Sequence, residues 1–456
     1  MNNNKSVDRD FKKAILQYTS NLEALRDFVS VLTSFLQQHE NQLLEERAQE
    51  LLPFAAILEK ILLEDDKVDN RTPLSERHQE RLRELGEVVT EDTGKGKKRT
   101  HFAFHDSVNE SSFVDAMSAY LKVHKKRELL SESSLLTLVS QAEWFQSQVI
   151  SLYFRQFPDT LGPIGEPLVA SEWQKPDIAR SIIDDAIAQE VDRLTRGSLE
   201  LRVAYLRDKI GVRLSEIKSS EQDLFEIHLR RNVIVHNGGI INAGYVRRVP
   251  RDRHREIDEH GKVRVSPEYL DRAVNFCEQA FLCVACELWR KCNRQSSERG
   301  DLFLTLASDA LSAGRWTVAE TLSEIVKDDE KAYSERIRMM ALINYWQSFK
   351  WRGQFEKVKK DVTRYDFSAK QLLFRAGQAA LLDDVPAVLR VIPELAADKA
   401  ITRHSLETWP IFQEVRKAET FRTVVDSAFP PDSPSLSLPP GTQPTRGAID
   451  DKQSTP

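Results

Sequence analysis

The sequence predicts an all-α protein. Apolar residues recur at helical spacing along most of the chain, and Gly and Pro gather at a few breaks. Strand-like alternation is confined to one short stretch between Glu87 and Asp106. At 456 residues the chain exceeds one ordinary core, and about 150 residues per domain suggests roughly three units.

Composition bounds the function classes. With 41% apolar and 30% charged residues the chain reads as a globular protein. Its 65 Lys and Arg against 70 Asp and Glu leave a net charge of −5, so nucleic-acid affinity has to come from a local patch. The start, Met1-Asn2-Asn3-Asn4-Lys5, lacks the apolar core of a signal peptide, and no run approaches the roughly 18 apolar residues of a membrane span. A cytoplasmic protein with no membrane partner is expected. Cys277, Cys283, Cys286 and Cys292 fall on one predicted helix, spread over about 22 Å and around its axis. One continuous helix cannot close them into tetrahedral zinc coordination, so they are expected to be packed thiols, with a half-site or redox pair at Cys283 and Cys286, which share a face, as the alternative.

From the N-terminus, residues 8–66 read as two helices. The first carries Phe11, Ile15, Leu22, Leu25, Phe28, Leu32 and Phe35, the second Leu51, Phe54, Leu58, Ile61 and Leu62. Val88, Val89 and Thr90, a turn around Gly94 and Gly96, and the alternating His101-Phe102-Ala103-Phe104 suggest a short β-hairpin. Lys95-Gly96-Lys97-Lys98-Arg99 there is either an RNA-contacting loop or a solvated charge run. Leu138, Ala142, Phe145, Val149 and Leu152 mark a strong amphipathic helix that ends before Pro158 and carries Glu143 midway. A loop rich in Gly and Pro follows to Pro176, then helices around Ile178–Val191 and Leu199–Ile210.

The next helix is the most informative. From Gln222 to Val235 there is no Gly or Pro, and Phe225, Leu229 and Val233 recur at four-residue spacing before Asn237-Gly238-Gly239 ends the run. Asn232 and His236 share a face, so the amide is placed to orient the imidazole. Arg231 lies about 140° round from His236 and about 7.5 Å along the axis. A phosphate suits the gap between them. Arg offers a fixed fork to phosphate oxygens, and His can take a proton from a ribose 2′-OH or give one to the leaving oxygen. The plainer reading is a histidine complementing the helix dipole beside a solvated arginine.

Arg231, Asn232, three apolar residues and His236 resemble the HEPN ribonuclease signature: an Arg, usually a polar residue next, and a His after four to six positions. The string RRNVIVHNGGIINAGYV, a basic loop and the helical run Pro267–Lys291 are similar to the branch found in bacterial defence and RiboL-PSP-HEPN-like proteins. The resemblance spans roughly residues 130 to 293, about a third of the chain. It implies a helical bundle that dimerises so that two Arg and His pairs face one groove, where RNA is cut without a metal to a 2′,3′-cyclic phosphate. Carried over, Arg231 would stabilise the phosphorane, His236 would be the general acid or base and Asn232 the orienter, with Glu143 and Arg230 as supporting groups. The basic loop of Arg247, Arg248, Arg251, Arg253 and Arg255 is either a phosphate-backbone strip or a solvated loop. No glycine-rich phosphate loop, metal-ligand cluster or Ser, His and Asp arrangement stands out, so no cofactor or metal is expected.

Beyond Asp301 the texture is helix, short turn, helix. Ala313-Gly314-Arg315-Trp316, Arg352-Gly353-Gln354-Phe355 and Asp383-Asp384-Val385-Pro386 occupy similar positions; the glycine-then-aromatic turns of the first two resemble degenerate tetratricopeptide turns, the third lacks both glycine and aromatic, and stacked helix pairs of this kind would offer a protein partner a concave surface. A plain helical bundle is the alternative. The tail from Pro430 has seven prolines in its last 27 residues and is expected to be disordered. The expected division is therefore 1–129, a HEPN-like bundle at 130–293, repeats at 299–429, and a tail at 430–456. A non-catalytic scaffold binding RNA or protein partners is the rival to the ribonuclease.

Overall fold

The computed structural model describes residues 2–46, 86–92, 98–105, 110–161, 176–212, 221–251, 256–258, 260–368 and 370–430. The second N-terminal helix, the loops at 93–97 and 162–175, Arg253, Arg255 and the tail beyond 430 lie outside these residues. Helices carry the fold, as expected, and the chain forms two compact units that divide near residue 302, with residues 331–333 belonging to the first.

In the first unit a long helix α1 (Asn2–Glu46) runs against α2 (Glu110–Gln156) and the central α7 (Pro267–Cys292). Between α1 and α2, β1 (Gly86–Asp92) pairs antiparallel with β2 (Lys98–Phe104), with Val88 opposite Phe102. The bundle is completed by α3 (Pro176–Arg196), α4 (Leu199–Tyr205) continuing as a π-turn at Leu206–Ile210, α5 (Glu221–Asn237) and α6 (Ala243–Arg248). Helix α7 starts where Ser266 accepts a hydrogen bond from the Tyr269 amide and Pro267 takes the first turn. It is buried without a break from Cys277 to Cys286, the mark of a helix surrounded on all sides. All four cysteines are buried there and none forms a disulfide, and burial pushes the Cys277 and Cys292 thiols up to about 12.

Helix α1 is tied to this centre by specific contacts. Phe11 stacks on Trp289 at 5.7 Å, Tyr18 stacks on Phe145 at 4.2 Å, and the Trp289 indole donates to Asp8 at 2.7 Å. The buried Glu278 carboxylate accepts from Arg26 at 2.6 Å. Two expectations are corrected here. The division at 129/130 falls inside α2, whose helix begins at Glu110, and α1 shares the core of the later helices. Phe28 and Phe35, periodic in sequence, are 54% and 62% exposed, whereas Phe11, Ile15 and Leu22 are buried.

The second unit contains α9 (Trp316–Lys327), α10 (Glu335–Trp351), α11 (Lys359–Arg364), α12 (Leu372–Leu381), α13 (Val385–Ala397), α14 (Arg403–Thr408) and α15 (Phe421–Ala428), preceded by α8 (Ser297–Ser312). Helix α12 lies so close to α10 that a Cβ on Gly377 would stand 2.9 Å from Ile343 Cδ1. One turn recurs. Gly314 (φ 73°), Gly353 (φ 74°), Asp383 (φ 61°) and Lys399 (φ 56°) all take the left-handed conformation just past a helix. In each case two amides return to the preceding turn in the Schellman pattern, as Gly314 to Leu311 and Arg315 to Ala310 do. The third sequence-predicted turn lacks glycine, and Asp383 fills its place with support from Lys350. The Lys350 ammonium caps the Ala380 and Leu381 carbonyls at 3.0 and 2.7 Å and meets the Asp383 carboxylate at 2.5 Å. The left-handed residues are unevenly spaced, so the turns recur without a fixed period.

Lys399 is exposed and holds a conformation that costs a side chain about 1 kcal/mol or more. Lys399→Gly should therefore raise the stability of the second unit by about 0.5–1 kcal/mol, read as a higher midpoint in urea.

Candidate functional site

Helix α5 presents two faces that its adjacent arginines divide. On one, Arg230 is fully buried, donates to Glu226 Oε1 at 2.6 Å and to the Arg264 carbonyl, and lies over the Tyr269 ring at 4.0 Å. Glu226 also accepts from the Tyr245 hydroxyl at 2.7 Å and the Tyr269 hydroxyl at 2.6 Å. Arg230, expected as a supporting site group, is thus a core residue joining α5 to α6 and α7.

About 100° round the helix, Arg231 points to α2. Its Nη2 meets Glu143 Oε1 at 2.7 Å, with the side chains 22% and 23% exposed. Two further basic groups converge on the same carboxylate oxygen. Arg202 Nη2 of α4 and His228 Nδ1, three residues before Arg231 on α5, are each 3.8 Å away. Arg202 also donates to the Leu194 and Thr195 carbonyls at 3.2 and 3.1 Å, serving the C-terminal end of α3. Burial lowers its pKa. Burial, then the Arg202 and Arg231 charges, push the His228 imidazole down to about 3, so it is neutral near pH 7. One carboxylate thus faces two guanidinium groups and an imidazole. Arg202 Nη1, His228 Nε2 and Arg231 Nε are buried with no hydrogen-bond partner among the described residues.

His236 stands in the last turn of α5, where Gly238 (φ 58°) and Gly239 (φ 87°) release the chain. It is exposed and makes no hydrogen bond or ion pair with the described residues. Asn232 is exposed too, and no hydrogen bond joins it to His236, so the expected orienting contact is absent between these two described residues. The turn beyond is held by a small core of Leu229, Val233, Tyr245, Val249 and Val263, and by a bridge pairing Ile240 with Lys262. Arg247, Arg248 and Arg251 are exposed on and just after α6. Val235, Ile240 and Val246, on the motif helix and the segment that follows it, are 48%, 45% and 47% exposed.

Sequence reasoning placed Glu143 and Arg231 among the site groups and passed over Arg202 and His228. The one available signal for His228 was its position one turn before Arg231. Arg202 had none, because its partners lie on other helices. Among the described residues no group of three or more His, Cys, Asp or Glu side chains is placed to hold a metal ion. No family model, curated protein or solved structure matches the chain.

The His228 imidazole supplies a pH test. The folded chain refuses a proton that the unfolded chain accepts below about pH 6.5. Stability should be fullest above that pH and fall as pH drops towards about 3, by up to about 1.4 kcal/mol per unit from this group. Urea melts across this range should show the decline, and His228→Phe should flatten it.

Proposed function

We propose that this protein is a metal-independent endoribonuclease of HEPN type, acting as a toxin or anti-phage effector. The observation that carries the reading is the pairing of an anchored Arg231 with a free, exposed His236 on one helix. Glu143 fixes the guanidinium, which limits the conformational freedom lost when a phosphate arrives. In the reaction the ribose 2′-oxygen attacks phosphorus and the bond to the 5′-oxygen breaks. His236 takes the 2′-OH proton or gives one to the leaving oxygen, and Arg231 stabilises the added charge on the phosphorane. The exposed Arg247, Arg248 and Arg251 add phosphate contacts. Arg231 and His236 diverge on their helix, so the groove is completed by a second copy, through a surface that includes Val235, Ile240 and Val246.

A scaffold without turnover is the second reading, favoured by the Arg231 charge being already answered by Glu143. Cleavage products separate the two. With a chelator present the purified protein should cut single-stranded RNA to 2′,3′-cyclic phosphate and 5′-OH ends. His236→Ala should slow this by about 10²- to 10⁴-fold with the melting temperature unchanged. Product ends bearing 5′-phosphate, or full activity in both His236→Ala and Arg231→Ala, would overturn the assignment.

Sedimentation should show a dimer. Val246→Glu, which places a charge on the exposed apolar surface, should yield monomers that lose turnover while keeping Arg231 and His236. A fully active monomer would place the whole reaction within one chain.

A further inference from the structure

A second candidate site lies where the end of α2 meets the end of α7. A cavity of about 490 Å³ opens there, lined by Tyr153, Phe157, Arg290, Lys291 and Arg294. That volume is within the usual range for small-molecule pockets. The two rings stand 5.0 Å apart at a tilt of 44°. Tyr153 is buried and Phe157 half-buried, so the pair forms an apolar wall that stays partly open.

The rest of the lining is cationic. Arg290 is paired with Glu287 at 2.5 Å. The side chains of Lys291 and Arg294 are exposed and make no hydrogen bond or ion pair with the described residues. Lys291 lies beside the turn that ends α4: a Cβ on Gly211 (φ 75°) would stand 3.6 Å from its Nζ. Cations in the last turn of a helix also complement its dipole, but that role needs neither a cavity nor aromatic walls.

A ligand that suits both the rings and the cations carries a multiply charged anion and a flat ring. An inorganic anion leaves the rings unused, and an uncharged heterocycle leaves the cations unanswered. We propose that this cavity binds a nucleoside phosphate, with the phosphate on Lys291 and Arg294 and the base against Phe157 and Tyr153. The same chemistry comes from a free nucleotide or from one nucleotide of a strand. The assignment is independent of the ribonuclease reading, since it uses none of Glu143, Arg231 and His236.

Calorimetric titration of the full chain with ATP, AMP, inorganic phosphate and adenosine tests it. ATP or AMP should bind at least about tenfold more tightly than phosphate or adenosine, a difference of about 1.4 kcal/mol. Lys291→Ala and Arg294→Ala, both at exposed positions, should each weaken the nucleotide about tenfold. Phe157→Ala should do the same, and if it lowers the melting temperature the two cation variants decide alone. Arg231→Ala should leave the affinity unchanged whether or not it abolishes RNA cleavage. Competition by a 2′-O-methyl oligonucleotide that cannot be cut would identify the strand as the source, and its absence the free nucleotide. Nucleotide binding no tighter than that of phosphate, binding that survives the Lys291 and Arg294 double variant, or binding lost on Arg231→Ala would each overturn the proposal.

Discussion

The buried Glu226 and Arg230 pair sets the rotation of α5, and with it everything that the candidate site presents. A carboxylate in the core is costly unless every oxygen is answered, and here two tyrosine hydroxyls and a guanidinium answer it. Those partners come from α6, from α7 and from α5 itself, so the helix is pinned against rolling. Burial, then the Glu226 charge, raise the pKa of both Tyr245 and Tyr269, keeping their hydroxyls protonated as donors. Because Arg231 is the next residue along, locking Arg230 inward aims Arg231 at α2. Removing one partner of such a pair commonly costs about 3–5 kcal/mol, since the other charge stays buried.

Around Glu143 the balance is reversed, with more positive groups than the carboxylate neutralises. The His228 imidazole responds by staying uncharged, which keeps the local charge from rising further. The two guanidinium groups remain, each with a buried donor nitrogen that no acceptor among the described residues meets. An anion or ordered water satisfies such donors at low cost, whereas an apolar group does not. Two guanidinium groups against one carboxylate leave the cluster net positive, although the chain as a whole is acidic.

What could be read in the sequence followed from local physics. The end of α5 is written in Gly238 and Gly239, and the start of α7 in Ser266 and Pro267, because caps and breakers act over one turn. The first half of α2 was not legible. Lys122 to Glu128 reads as a charge run and Ser131 to Ser134 as weak helix formers, and the segment is helical because Val123 is buried and Arg127 reaches Glu40 at 2.6 Å. The convergence of Arg202 and His228 on Glu143 was hidden for the same reason. An arginine and a histidine on amphipathic helices look alike wherever they point, and their meaning comes from partners dozens of residues away.

The packing of α1 has a consequence for synthesis. Asp8 and Trp289 bond across 281 positions, and Phe11 stacks on the same indole. At about 5–20 residues per second, roughly 12 to 49 seconds separate the synthesis of the end of α1 from that of the end of α7. During that interval the stripe of Phe11, Ile15, Tyr18 and Leu22 has only part of its final cover, since α2 arrives well ahead of α7. Until α7 has been made the nascent chain thus carries an unfinished apolar seam, and the speed of elongation between α1 and α7 sets how long that seam stays open.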